Sequence, residues 1–215
     1  MAATLGFVGL CVLARQFDYL PIDLTITRGV QGFSTAWFAA LMTAVSYPGY
    51  EPQAYVLAAA LVGLFLVYRR RWEGVMIALT GGGELALVTV VKDLVQRPRP
   101  GADLVQVAVH LDSYSFPSGH VVFYTTVFGF VFFLIYTLVR PSALRTAGLA
   151  GLAALIGLVG LSRIYLGNHW ASDVAAAYLL GSVWLAASIW LYRWGRPRFF
   201  AAQPGAPGET RPDDA

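Results

Sequence analysis

Residues 119–139 read GHVVFYTTVFGFVFFLIYTLV, a run without one charged side chain. The hydrocarbon core of a bilayer, about 30 Å thick, is crossed by roughly 20 residues rising 1.5 Å each, so this run predicts a membrane-spanning helix. Working outward, four more predominantly apolar runs bounded by charge or by Pro and Gly read as spans, at 53–68, 74–95, 144–166 and 171–192, the first of them short. Residues 1–14 are apolar but brief, and they lack the basic start and small-residue cleavage site of a signal peptide, so they read as a short first span. Between these, 16–51 mixes Asp18, Asp23 and Arg28 with an i, i+4 stripe of Phe33, Trp37, Leu41 and Val45. That stripe suits a helix lying in the interface, with a crossing as the alternative. The expectation is an all-α polytopic membrane protein, a six-transmembrane-helix bundle with interfacial helices between the first and second spans.

Composition agrees. The 215 residues are 57% apolar and 13% charged with a mean hydropathy of +0.61, where a soluble domain carries about 25% charged residues. The single Cys11 has no intrachain partner, which excludes a structural disulfide and a cysteine-rich metal site. Net charge is only +3, and the basic residues sit in short groups at the ends of apolar runs rather than in a stripe, so no nucleic-acid partner is expected. Those groups set an orientation. Arg69 to Arg71, Arg140 with Arg145, and Arg193, Arg196 and Arg198 fall on one side if crossings alternate, and the positive-inside rule makes that side the cytoplasm. Both termini are then cytoplasmic, in a multi-pass protein of the cell (inner) membrane. Residues 1–198 form the expected membrane domain, and 199–215, ending AAQPGAPGETRPDDA, are too rich in Pro, Gly and acid to bury a core and read as a disordered cytoplasmic tail.

Three polar stretches interrupt the apolar pattern, and polar groups at bilayer depth are functional candidates by default. The first, KDLVQRPRP at 92–100, holds the only lysine of the chain, Lys92; Pro98 and Pro100 force the backbone out of the helix near Gln96 and extend it through Arg97 and Arg99. Snorkelling basic anchors are the alternative. The second, SYSFPSGH at 113–120, opens the 119–139 run with Ser118 as the expected cap, Gly119 allowing close approach, and His120 beside free N–H groups suited to an anion; a plain capping sequence is the alternative. The third, SRIYLGNHWASD at 162–173, reads as a C-cap at Gly167 and an N-cap at Asn168, with His169 in the first helical turn and Asp173 four residues on, able to take a hydrogen bond from the imidazole; a surface pair is the alternative. Arg163 adds a cation. Chain order alone brings all three stretches to one membrane face, opposite the arginine groups. His110, in the intervening loop, reads as an ordinary surface histidine.

His120, His169 and Asp173 are a possible two-His, one-carboxylate metal set, but the surrounding cations would repel a dication and would hold a phosphoryl group. With no reactive cysteine, the available nucleophile is the imidazole of His169 oriented by Asp173, and His120 is the general acid and base. In this order, KxxxxxxRP, PSGH and SRxxxxxHxxxD closely resemble the three-part signature of the type 2 phosphatidic acid phosphatase superfamily, matching at every signature position over Lys92 to Pro100, Pro117 to His120 and Ser162 to Asp173. The resemblance implies a six-helix bundle, phosphatase activity through a phosphohistidine with no metal or other cofactor, and an active site at the outer membrane surface. By position it implies phosphate binding by Lys92, Arg99, Ser118, Gly119 and Arg163, acid/base catalysis by His120, attack by His169 and orientation by Asp173. Arg97 lies outside the signature and is a candidate for a second phosphate or a lipid head group. The expected partners are the bilayer and a lipid phosphate: phosphatidylglycerol phosphate, phosphatidic acid or undecaprenyl diphosphate. A silent lipid-phosphate-binding or transport protein that keeps the same pocket is the alternative. The related vanadate-dependent haloperoxidases are soluble, unlike this chain.

Overall fold

The computed structural model describes residues 2–199, whose regular elements are all helices, with no strand among the described residues. In chain order the helices are α1 (Ala2–Gln16), α2 (Pro21–Gln31), α3 (Ala36–Ser46), α4 (Gln53–Val67), α5 (Arg71–Val95), α6 (Gly119–Leu138), α7 (Ala143–Tyr165) and α8 (Ala171–Phe199). Four of them, α5 to α8, are long and apolar enough to cross a membrane singly. The pairs α1/α2 and α3/α4 are bent by 93° and 57° at short breaks, and each would make one broken span, giving up to six. The expected runs at 1–14 and 53–68 are thus 15-residue helices, each with a second helix angled against it. The interfacial segment becomes α3, which leaves Trp37 and Leu41 exposed and buries Val45 in the core. Residues 200–215, which hold nearly all of the expected tail, lie outside the described residues.

Close packing joins the long helices. Gly181 of α8 lies against Thr125 of α6, where an added Cβ would approach 2.8 Å, and Gly160 of α7 lies against Val174 and Tyr178 of α8, at 2.7 and 2.9 Å. Residues of this size let helices approach where hydrophobicity alone gives no preference over lipid. The central core is Val121, Val122, Tyr124, Val127, Val159 and Ala177. α6 carries one π-turn at Tyr124–Phe128, and the Tyr124 hydroxyl donates to the Val45 carbonyl at 2.6 Å. Such widened turns are common beside functional sites.

Alternation of the long helices brings the C-terminus of α5, the N-terminus of α6, the C-terminus of α7 and the N-terminus of α8 to one end of the bundle. The arginine groups mark the other end, where Arg196 faces Glu73 at 3.8 Å and Trp72 donates to the Tyr192 carbonyl. As the prolines predict, α5 stops at Val95, Gln96 turns into the left-handed region at φ 56°, and an extended loop runs to α6. α2 straps this loop: Gln31 bonds Gln106 through both its amide oxygen and nitrogen, and Arg28 donates to the Leu104 carbonyl.

Candidate active site

His169 lies just before α8, two residues ahead of Ala171, rather than in its first turn. Gly167 causes this: its φ of +67° and the Gln106 carbonyl, 2.0 Å from where a Cβ would stand, allow only glycine, and the chain needs three more residues to enter the helix. Nδ1 of His169 is 2.8 Å from the carbonyl oxygen of Ser115, which can only accept, so Nδ1 carries the proton and Nε2 the lone pair. The orienting partner is therefore Ser115, whereas the sequence pointed to Asp173. Asp173 Oδ2 stands 3.8 Å from Nδ1 and acts at one remove, accepting from the Ser115 hydroxyl at 2.5 Å and from the Trp170 amide at 2.9 Å. Ser115 lay inside the quoted SYSFPSGH stretch, but no spacing rule distinguishes it from Ser113.

His169 lines a cavity of about 900 Å³ together with Lys92, Arg99, Gly119, His120 and Arg163, and the acids Glu51, Glu84, Asp93 and Asp112 line it too. Arg99 is held by the Ser113 carbonyl and the Asn168 carbonyl, both at 2.7 Å, and its Nη1 lies 3.3 Å from His169 Nε2. Lys92 donates to the Tyr114 carbonyl. Arg163, buried, uses Nη1 on Ser46 Oγ and the Tyr50 hydroxyl, both at 3.0 Å, while its Nε and Nη2 have no partner among the described residues. Ser118 stands at the N-cap position of α6, yet its hydroxyl makes no cap bond and is likewise buried and unpartnered, as is Nε2 of His120, whose ring meets the Tyr50 ring edge-on at 4.8 Å. Buried polar atoms are ordinarily paired, so these orphans mark where a ligand's acceptors belong. Ser46 and Tyr50 come from the α3/α4 junction and were invisible in the motifs. His110 is exposed and lies outside the cavity wall.

The cations shape the site's titration. Burial, then the charges of Arg99, Arg163 and Lys92, hold His169 well below the usual 6.5, against the Ser115 carbonyl that favours the charged form. The ring is neutral at pH 7. Burial and the Arg163 charge push Arg99 down to about 10, which leaves it a cation there.

Arg97 does not face the cavity, which corrects the expectation of a second phosphate ligand. Its guanidinium is fully buried and spent on Asp23 at 2.9 Å, Asp173 at 2.5 Å, Ser172 Oγ at 2.7 Å and the Asp18 carbonyl at 3.1 Å. Asp23 in turn accepts from the Ser172 amide and hydroxyl, both at 2.8 Å. Asp23, passed over in the sequence as part of a mixed polar segment, thus closes the chain Asp23, Arg97, Asp173, Ser115, His169.

The family model of the PAP2 superfamily matches residues 72–197, the part of the chain that holds α5 to α8 and all three polar stretches. The chain belongs to the PAP2 superfamily. Phosphatidylglycerophosphatase B of Bacillus subtilis is 31% identical over 160 residues, 74% of this chain and 77% of that protein. The decaprenylphosphoryl-5-phosphoribose phosphatase of Mycobacterium tuberculosis is 33% identical over 132 residues, covering 59% of this chain and 65% of that protein. The crystal structure of the transmembrane PAP2-type phosphatidylglycerolphosphate phosphatase of B. subtilis superposes with a TM-score of 0.78 at 25% identity, over 92% of this chain and 97% of that one. This is a membrane protein of the PAP2 lipid phosphatase family, and the resemblance carried by Lys92, Arg99, the PSGH stretch, Arg163, His169 and Asp173 is a family relationship.

Proposed function

We propose that residues 1–198 form a six-crossing lipid phosphatase that hydrolyses phosphatidylglycerol phosphate, phosphatidic acid or undecaprenyl diphosphate through a phosphohistidine on His169, at the outer membrane face and with both termini in the cytoplasm. The observation that carries this is the convergence on one cavity of a neutral imidazole, whose Nε2 accepts from Arg99 Nη1 at 3.3 Å, with Lys92, Arg99 and the unpartnered Nε and Nη2 of Arg163, next to the buried and unpartnered Ser118 Oγ that precedes the lining Gly119. Lys92, Arg99, Arg163, Ser118 and the Gly119 N–H hold the nonbridging oxygens and the charge that builds on them. His169 Nε2 attacks the terminal phosphorus; its P–O bond to the leaving group breaks, and the leaving oxygen, an alkoxide from a phosphomonoester or a lipid phosphate from a diphosphate, takes a proton from His120. Water then attacks the phosphohistidine, gives a proton to His120 and releases inorganic phosphate as the P–N bond breaks. Asp173 offsets the charge on the imidazole through Ser115.

The donor set favours a reaction without metal. The Asp173 oxygens are committed to Ser115, Trp170 and Arg97, so the two-His, one-carboxylate set has lost its carboxylate to other bonds, and Lys92, Arg99 and Arg163 crowd the two imidazoles with positive charge. The test is phosphate release from detergent-solubilised protein in EDTA on the three lipids, with His169→Ala and His120→Ala beside the wild type. EDTA-resistant release, abolished in His169→Ala, with a labelled phosphoenzyme that persists in His120→Ala, is the expected result. Release that EDTA abolishes, or that survives in His169→Ala, refutes the mechanism.

A further inference from the structure

Four acidic side chains are buried among the described residues, and three have partners: Asp23 and Asp173 bind Arg97, and Glu73 accepts from the Tyr192 hydroxyl at 3.0 Å. Glu84, in the middle of α5 and only 6% exposed, has no hydrogen bond or ion pair among the described residues. It lines the same cavity as His120 and His169, together with Tyr55, Leu85, Val88, Thr89 and Phe123. A carboxyl group at membrane depth without a partner is costly, and a groove-facing one is held for a ligand.

Its height in the cavity indicates which part of the ligand it meets. Val88 sits beside Gly119, its Cγ1 3.8 Å from where a Gly119 Cβ would be, so Val88 marks the level at which α6 and His120 begin. Glu84 is one turn of α5 before Val88, about 6 Å deeper at 1.5 Å per residue, on the side away from Lys92 and Arg99. The phosphoryl group occupies the cationic end, so what reaches Glu84 is the leaving alcohol, a few bonds past the oxygen that His120 protonates. A carboxyl group there accepts a hydrogen bond from a hydroxyl; of the other lining residues nearby, Val88 and Phe123 are apolar, Thr89 already donates to the Leu85 carbonyl, and Tyr55 is shared with Glu51.

We infer that Glu84 is a specificity-determining residue: it accepts a hydrogen bond from a hydroxyl on the leaving alcohol, so the cavity selects lipids whose phosphate is esterified to a polyol over those whose leaving group has no free hydroxyl. This rests on the phosphatase reading above. A site whose buried acceptor goes unsatisfied rejects the analogue lacking the donor far more strongly than an apolar pocket rejects an extra group.

The probe is a matched pair: phosphatidylglycerol phosphate and its analogue in which the head-group glycerol is replaced by 1,3-propanediol, differing by one hydroxyl. Each is assayed with wild type, Glu84→Gln, which keeps an acceptor, and Glu84→Leu, which suits the apolar wall and holds the fold. Wild type is expected to favour the hydroxylated lipid by at least roughly 10-fold in kcat/KM, Glu84→Gln to keep most of that ratio, and Glu84→Leu to bring it near one mainly by losing the hydroxylated substrate. A ratio near one in the wild type, or a ratio unchanged in Glu84→Leu, overturns the inference while leaving the phosphatase reading intact. No release from either lipid by the wild type overturns both.

Discussion

Arg97 offers a sharp test of how the site is held. It bridges two carboxylates, Asp23 and Asp173, all three side chains having no exposure, through bonds of 2.9 and 2.5 Å. Arg97→Ala leaves two buried carboxylates facing one gap. Asp23 keeps the Leu20 amide and the Ser172 amide and hydroxyl, and Asp173 keeps the Ser115 hydroxyl and the Trp170 amide, so neither is bare but neither is neutralised. Removing one partner of a buried ion pair costs about 3–5 kcal/mol. For a chain of this size, at about 2–4 °C per kcal/mol, the melting temperature in detergent falls by roughly 6–20 °C. Freed of Arg97, Asp173 is itself no longer anchored and carries Ser115 with it, so the imidazole of His169 shifts; a displacement of about 1 Å at a reacting group costs on the order of 100-fold in kcat. Both losses fall equally on monophosphate and diphosphate lipids. Arg97→Ala combined with Asp23→Asn recovers part of the stability because one of the two uncompensated charges is gone, whereas Asp23→Asn alone destabilises. The measurements are thermal unfolding by intrinsic fluorescence and kcat on phosphatidic acid and undecaprenyl diphosphate. An unchanged melting temperature with a loss confined to the diphosphate would make Arg97 a substrate ligand and refute the buried brace.

Two further outcomes follow from the same geometry. At Gly49 a Cβ would stand 2.5 Å from Cδ2 of His120 and 2.9 Å from Cε2 of Tyr124, so Gly49→Ala displaces the acid/base ring at an overpacking cost of about 1–3 kcal/mol. Its rate loss, read by steady-state kinetics, is expected to be larger for an alkyl phosphate than for p-nitrophenyl phosphate, whose leaving group needs no proton; equal losses would point to a general disruption. His169 gives a pH dependence. The unfolded chain binds its proton near 6.5, the folded chain only well below, so stability is complete above pH 6.5 and declines as pH falls through that window. The decline attributable to this proton is up to about 1.4 kcal/mol per pH unit, and unfolding between pH 6.5 and 5 is expected to lose that part of its slope in His169→Gln; an identical slope would mean that the ring titrates normally.

What was legible in the sequence divides along a physical line. The long helices declared themselves because a bilayer imposes a length and excludes charge, and α5, α6, α7 and α8 begin or end within a few residues of the runs that announced them, except where α8 continues past 192 to Phe199. The helix breaks at Pro98 and Gly167 were legible because backbone chemistry is local. The runs at 1–14 and 53–68 and the stripe at 33–45 announced α1, α4 and α3, but α2 and the bends that pair α1 with α2 and α3 with α4 were not legible, since helices of 11 to 15 residues are set by neighbours rather than by their own hydropathy. The same division runs through the site. Residues in the motifs could be assembled from chain order, but their supports come from afar: Asp23 reaches Ser172 across 149 positions, Arg163 reaches Ser46 across 117, and Ser115 reaches Asp173 across 58. No periodicity encodes such pairings. The i, i+4 spacing of His169 and Asp173 illustrates the hazard, because it suggested a direct hydrogen bond on one helical face, while Gly167 delays the helix and puts a carbonyl where the carboxylate was expected. Only Glu84 left a signal that was readable and unread, an acid in the middle of an apolar span. In a membrane protein that cost has to be offset either by a partner, as Glu73 finds in Tyr192, or by what enters the cavity.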